Sequence, residues 1–208
     1  MKFKKGDTIW KELKHHLPFT FFASLVAGLL VAIFYSMGSI PSGGLFEIMH
    51  PAHVLVSAIA TSAIYWKYKK SFLNGILIGV VGAILIGSLS DVFFPFLAGN
   101  LFSLNTQFHL PILEKPFLIL GVALFGAVIG IRWKLSKISH SIHVFLSIFA
   151  SLFYLLAFSI EISFFGVLLI SLVVFLAVFI PCCISDIIFP ILFIKRVKNS
   201  YIFMVSFL

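Results

Sequence analysis

Charge is what this chain has least of. Among 208 residues there are 15 Lys plus Arg and 7 Asp plus Glu, so 11% are charged, against roughly 25% in soluble domains. So few polar groups cannot cover the apolar surface of a water-soluble fold, and the same balance excludes a disordered chain or a repetitive fibre. Cysteine is nearly as scarce. Cys182 and Cys183 are adjacent, and neighbours in sequence rarely meet the geometry of a disulfide, so no disulfide framework is implied. Catalytic signatures are missing too. There is no H-E-x-x-H, G-x-S-x-G, zinc-finger spacing or phosphate-cradling glycine loop. ATP-driven chemistry would need another subunit. No lipidation motif is seen, and Ser36-Met37-Gly38 is a poor signal-cleavage site, so the first apolar segment is expected to be retained.

What the chain does have is apolar length. Hydrophobic residues make up 61% of it and Phe alone supplies 26 residues. A membrane span needs about 20 apolar residues. Such segments fall at 18–37, 51–66, 71–94, 116–131, 141–159 and 163–194. The last would reach about 48 Å as one helix, against roughly 30 Å of hydrocarbon. Pro181 and Pro190 within it predict a break near Cys182–Asp186. Six spans place 14 of the 15 basic residues on one side, leaving only Lys115 on the other. The positive-inside rule makes the basic side cytoplasmic, with both termini inside, and Trp10, Trp66 and Trp133 anchor that face. The expectation is a multi-pass protein of the cell (plasma) membrane. The net +8 then reflects topology and contact with anionic membrane lipids, not nucleic acid. A chain of this size could pair as a homodimer.

The polar residues repeat. His16-Leu17-Pro18 recurs as His109-Leu110-Pro111, His50-Pro51-Ala52-His53-Val54 as His140-Ser141-Ile142-His143-Val144, and Ser90-Asp91-Val92-Phe93-Phe94-Pro95 as Ser185-Asp186-Ile187-Ile188-Phe189-Pro190, at offsets of 93, 90 and 95 residues. Ser57 pairs with Ser147 and Thr61 with Ser151. Three ordered matches in rare letters at nearly one offset mark an internal repeat. One membrane domain, 1–208, is thus read as a first unit at 13–98 and a second at 107–194. Each holds three spans, and an odd number inverts the second copy. The fold class expected is an all-α integral membrane protein: six transmembrane helices, two three-helix repeats of inverted topology, with the third and sixth helices interrupted. This plan is common among secondary transporters, whose sites lie between the repeats.

The histidines and two acids are the candidate chemistry. His50 and His53 lie one turn apart on a face continued by Ser57 and Thr61; His140, His143, Ser147 and Ser151 do the same in the second copy. Lipid cannot satisfy such a stripe, so it faces the bundle. Two imidazoles and an aspartate suit a divalent cation. The expected metal residues are His50, His53 and Asp91 toward the outer side, joined by His109, and His140, His143 and Asp186 toward the inner side, joined by His15 or His16. Capping, packing or headgroup contact are the plain alternatives; Pro51 reads as a first helical residue, with His50 as its cap. Imidazoles also titrate near neutral pH, so protons are as natural a cargo as metal.

The leading expectation is a secondary transporter of a divalent metal cation, coupled to protons. The alternatives are a metal-dependent membrane enzyme acting on a lipid headgroup, and a protein holding a cofactor such as haem between two histidines. The expected cofactor or cargo is a divalent metal ion, and the partners are membrane lipids and a small cation or proton. For Cys182 and Cys183, soft-metal binding or thiol exchange is the alternative, but adjacent cysteines are not the spaced C-x-x-C arrangement, and they read as small apolar packing residues. Glu47, Glu114 and Glu161 read as outer-loop charges, Glu47 the best placed to attract a cation. Glycines at 75, 79, 82, 87, 121, 126 and 130 read as helix-packing positions.

Overall fold

The computed structural model describes residues 5–36, 42–133, 137–158, 174, 178, 181–182 and 184–194. Among these, every regular element is helical. In chain order they are α1 (Lys5–Ser36), α2 (Ser42–Tyr68), α3 (Phe72–Ser88), a π turn (Leu89–Phe93), α4 (Phe94–Leu101), α5 (Pro111–Glu114), α6 (Pro116–Trp133), α7 (Lys137–Phe158), a second π turn (Ile184–Ile188) and α8 (Phe189–Leu192). Three helices, Gly43–Tyr68, Phe72–Leu101 and Pro116–Trp133, are long and apolar enough to cross a membrane; Ile142–Phe158 is a shorter apolar helix. Most of the expected sixth span, 163–194, lies outside the described residues, as does Glu161.

Burial is inverted relative to a soluble protein. Leu73, Leu77, Leu85, Phe117 and Phe125 are exposed, while His50, His53, Asp91 and Asp186 are fully buried. Apolar side chains facing out and polar ones facing in are what a hydrocarbon solvent selects.

Helix α2 is the centre. It packs against α3, α6 and α7, and α7 in turn packs against α1. Small residues set the approach of α6. A Cβ on Gly126 would lie 2.3 Å from the Leu55 carbonyl oxygen, and one on Gly130 would lie 2.2 Å from that of Ile59. These pairings advance together, so α2 and α6 run parallel. Helix α3 runs the other way: Gly75 meets Tyr65, Gly79 meets Ser62, and Gly87 meets Val54. Helix α7 is also antiparallel to α2, since His53 meets His143 while Phe46 meets Tyr154 and Phe158. Among the described residues nothing lies within 4 Å of a Cβ built on Gly121.

Three boundaries differ from expectation, each for a physical reason. Helix α2 begins at Ser42 rather than near residue 51, and Pro51 lies inside it. His50 is therefore not a helix cap. An interior proline costs about 3 kcal/mol. Burying Phe46, the first α2 residue in the core, returns about 1.5–3 kcal/mol, and its rings against His109, Tyr154 and Phe158 add about 0.5–1.5 kcal/mol each. Helix α1 likewise runs through Pro18. The third apolar segment does not end at residue 94. The chain stays helical to Leu101, with Asp91 inside the π turn.

Two π turns lie among the described helices, each just before a proline. Pro95 and Pro190 have no N–H, so Asp91 and Asp186 cannot have their carbonyls bonded in the usual way four residues on. The ladder shifts register instead: Phe94 N–H bonds the Leu89 carbonyl, five residues back. Leu89–Phe93 and Ile184–Ile188 occupy equivalent places in the repeat.

Candidate metal centre

Both aspartates sit in π turns, a feature frequent at functional sites. The extra residue in the turn swings Ser90 and Asp91 against α2 and α7. Asp91 then takes four donors. His50 Nδ1 donates to Oδ2 at 2.9 Å and His53 Nδ1 to the same oxygen at 2.5 Å. Ser90 donates to Oδ1 at 2.9 Å and Ser147, from α7, at 2.7 Å. Asp186 repeats the pattern with the copies exchanged. His143 Nδ1 binds its Oδ2, while Ser57 and Thr61, from α2, donate to Oδ1 at 3.3 and 3.1 Å. Ser151 closes the network by donating to the carbonyls of Ser90 and Ser147 at 3.0 and 2.7 Å.

Each carboxylate therefore gives one oxygen to histidine and the other to hydroxyls: Asp91 to Ser90 beside it and to Ser147 of α7, Asp186 to Ser57 and Thr61 of α2. His53 and His143, equivalent in the repeat, stack on each other with centroids 4.5 Å apart and planes 14° apart. The expected outer and inner sets are thus not separate: the structure brings His50, His53, Asp91, His143 and Asp186 into one buried cluster. Antiparallel packing of α2 and α7 is the reason, and the early start of α2 sets His53 about 16 Å along that helix at 1.5 Å per residue.

Two ring nitrogens are left over. His50 Nε2 and His53 Nε2 are buried with no hydrogen-bond partner among the described residues. Leaving a buried polar atom unsatisfied costs about 1–3 kcal/mol, so such atoms call for a ligand. Ligand atoms of His50, His53 and Asp91 lie within 4.8 Å of one another, as do those of His53, His143 and Cys182. These buried groups can hold a metal ion. The positive charge the two carboxylates need comes from no lysine or arginine: among the described residues none is buried.

His109 does not join His50 and His53. It bridges two glutamates, with Nε2 3.1 Å from Glu47 and Nδ1 2.7 Å from Glu114, and Lys115 also pairs with Glu47. Glu47 is in α2, not in a loop. The His109 ring stacks on Phe158, and Phe46 lies between it and His50 with centroids 5.8 and 5.6 Å away. Phe46 is buried and separates the two groups. The side chains of His15, His16 and His140 lie outside what is described.

One member reads from the sequence as a packing residue, with a soft-metal role only as the alternative. Cys182 is buried in the core with the His53–His143 pair. The signal was available: Cys182 precedes Asp186 by four residues, as Gly87 precedes Asp91. The apolar run around it argued for packing instead. Comparison with protein-family models, with curated proteins and with solved structures finds no match to this chain.

Proposed function

We propose that this protein is a secondary transporter of a divalent metal cation, built as two inverted three-helix repeats. The observation that carries the proposal is the crossed arrangement of Asp91 and Asp186. Each has one oxygen on histidine of its own copy and the other on at least one hydroxyl of the other copy, Asp91 sharing that oxygen with its neighbour Ser90, beside the buried Nε2 atoms of His50 and His53, which have no partner among the described residues. A site shared this way changes when the copies rock against each other. The contacts of Asp91 with His50 and His53 both involve α2, and the Ser147 contact involves α7. Motion of one helix pair relative to the other would loosen one oxygen's donors and keep the other's. That is the requirement of alternating access.

Charge balance supports the same reading. Two carboxylates in a membrane interior are stable only when compensated. Protonated imidazoles or one bound divalent cation would supply that charge. Metal arrival would then release protons, because ligating imidazole is neutral. The helix directions support the six-span plan. The ends of α2 and α6, which carry Lys67 and Arg132, and the starts of α3 and α7 lie at one end of the bundle, which we assign to the cytoplasm. The crossed pairs α2 with α6 and α7 with α1 are what a two-fold axis in the membrane plane would relate. A haem between His53 and His143 is disfavoured, because their rings are already in contact. A headgroup enzyme would place its acids near the interface; Asp91 and Asp186 are wholly buried.

The test is transport by the purified chain in sealed vesicles loaded with a metal-sensitive and a proton-sensitive dye. Metal flux driven by a pH gradient, and proton flux driven by a metal gradient, are expected. Neither flux, across a panel of divalent metals, would overturn the proposal.

A further inference from the structure

The two copies are not chemically identical at their centre. At the offset that aligns the Ser-Asp-x-x-Phe-Pro segments, Cys182 stands where the first copy has Gly87. A Cβ on Gly87 would lie 3.7 Å from His53 Cε1, so that position borders the imidazole pair. In the second copy the same position supplies sulfur. Cys182 is buried, and its Sγ lies within 4.8 Å of ring nitrogens of His53 and His143.

The hydrogen bonds show which nitrogens the aspartates already hold. The Nδ1 atoms of His53 and His143 are held by Asp91 and Asp186. Metal-binding histidines are commonly held in this way, one nitrogen on a carboxylate and the other on the ion. His53 Nε2 is buried and has no partner. Two imidazole nitrogens and a thiolate around zinc, at bond lengths of about 2.0–2.3 Å, would stand about 3.5 Å apart. One ring nitrogen of each imidazole and the Cys182 sulfur already lie within 4.8 Å of one another.

We infer that the ion of this centre is a thiophilic one, of the zinc and cadmium class, held by His53, His143 and Cys182. Asp91 and Asp186 orient the two imidazoles. This rests on the metal-transport reading and narrows its cargo. Thiolate and imidazole select zinc and softer ions over magnesium, calcium and manganese, which favour carboxylate and water. On binding, the Cys182 S–H proton leaves and the sulfur bonds the ion; no electrons are exchanged.

The experiment titrates the purified full chain with Co²⁺, Cd²⁺ and Mn²⁺ separately, in detergent. Expected is a thiolate-to-cobalt charge-transfer absorption that disappears in Cys182→Ser and persists in Cys183→Ser. Cd²⁺ binding should weaken in Cys182→Ser by more than the about 10–100-fold that loss of a supporting group costs, with Mn²⁺ binding nearly unchanged. Cadmium-113 NMR of the unmodified chain reads sulfur ligation without any variant, should Cys182→Ser not fold. Cobalt that binds without the charge-transfer band, a band that survives Cys182→Ser, or a cadmium resonance typical of nitrogen and oxygen donors alone would overturn the thiolate inference and leave the metal site standing. Failure of all three ions to bind would remove both.

Discussion

Asp91 and Asp186 are the residues on which the two halves of the chain meet. Each accepts from its own copy's histidine and the opposite copy's hydroxyls. Asparagine keeps the volume and removes the charge. Asp91→Asn and Asp186→Asn are therefore expected to abolish metal flux in vesicles while each variant still elutes as a folded species. Full activity in both would remove the centre from the function. The serines act differently. Ser147→Ala deletes one donor to Asp91 and leaves the oxygen to the remaining Ser90 donor. A lost hydrogen bond of this kind costs about 1–3 kcal/mol. The expected outcome is a lower unfolding temperature and reduced flux, with metal binding retained. Loss of binding as complete as in Asp91→Asn would show that the hydroxyl is a ligand and not a positioning group.

Among the helices, two features carry the geometry. The first is the π turn, which Pro95 imposes by withholding an N–H. Pro95→Ala restores the donor and allows the ordinary ladder, which rotates Ser90 and Asp91 away from α2. Helical content should be unchanged, while metal affinity falls by about tenfold or more, the scale of a misplaced supporting group. Circular dichroism with a binding titration separates the two effects; unchanged affinity would mean that the turn has no part in placing Asp91. The second is the close approach of α2 and α6. A methyl at Gly130 would meet the Ile59 carbonyl at 2.2 Å, whereas one at Gly121 meets nothing within 4 Å. Gly130→Ala should destabilise by about 1–3 kcal/mol, and Gly121→Ala by less than about 0.5 kcal/mol. Thermal unfolding in detergent tests the pair, and equal effects would contradict the packing.

At the scale of the molecule, the proposal makes a statement about sides. The loop after α4 and the turn between α2 and α3 should face opposite compartments. Single cysteines at Ser103 and Ser71, in a chain with Cys182→Ser and Cys183→Ser, should label from opposite sides of sealed vesicles, Ser71 from the side rich in lysine. Labelling from one side would overturn the inverted arrangement.

Composition and pattern by themselves determined much about this protein. Scarce charge and long apolar runs identify helices that can cross a bilayer, because hydrocarbon satisfies no backbone polar group and so admits few folds. The repeated His-x-x-His and Ser-Asp-x-x-Phe-Pro segments singled out His53, Asp91, His143 and Asp186, since rare polar letters in an apolar chain have few uses. Helix limits were less legible: Pro18, Pro51 and Asp91 looked like ends, yet tertiary burial of Phe46 and the π turn at Asp91 carry the helices through them. Only the tertiary structure decided that the two sets form one centre, that Ser147 reaches Asp91 while Ser57 reaches Asp186, that His109 belongs to Glu47 and Glu114, and that Cys182 joins the imidazole pair. Sequence spacing records which residues share a helix face. Which faces meet, and at what depth, depends on antiparallel packing of α2 against α7, a contact between residues about 90 positions apart in the chain.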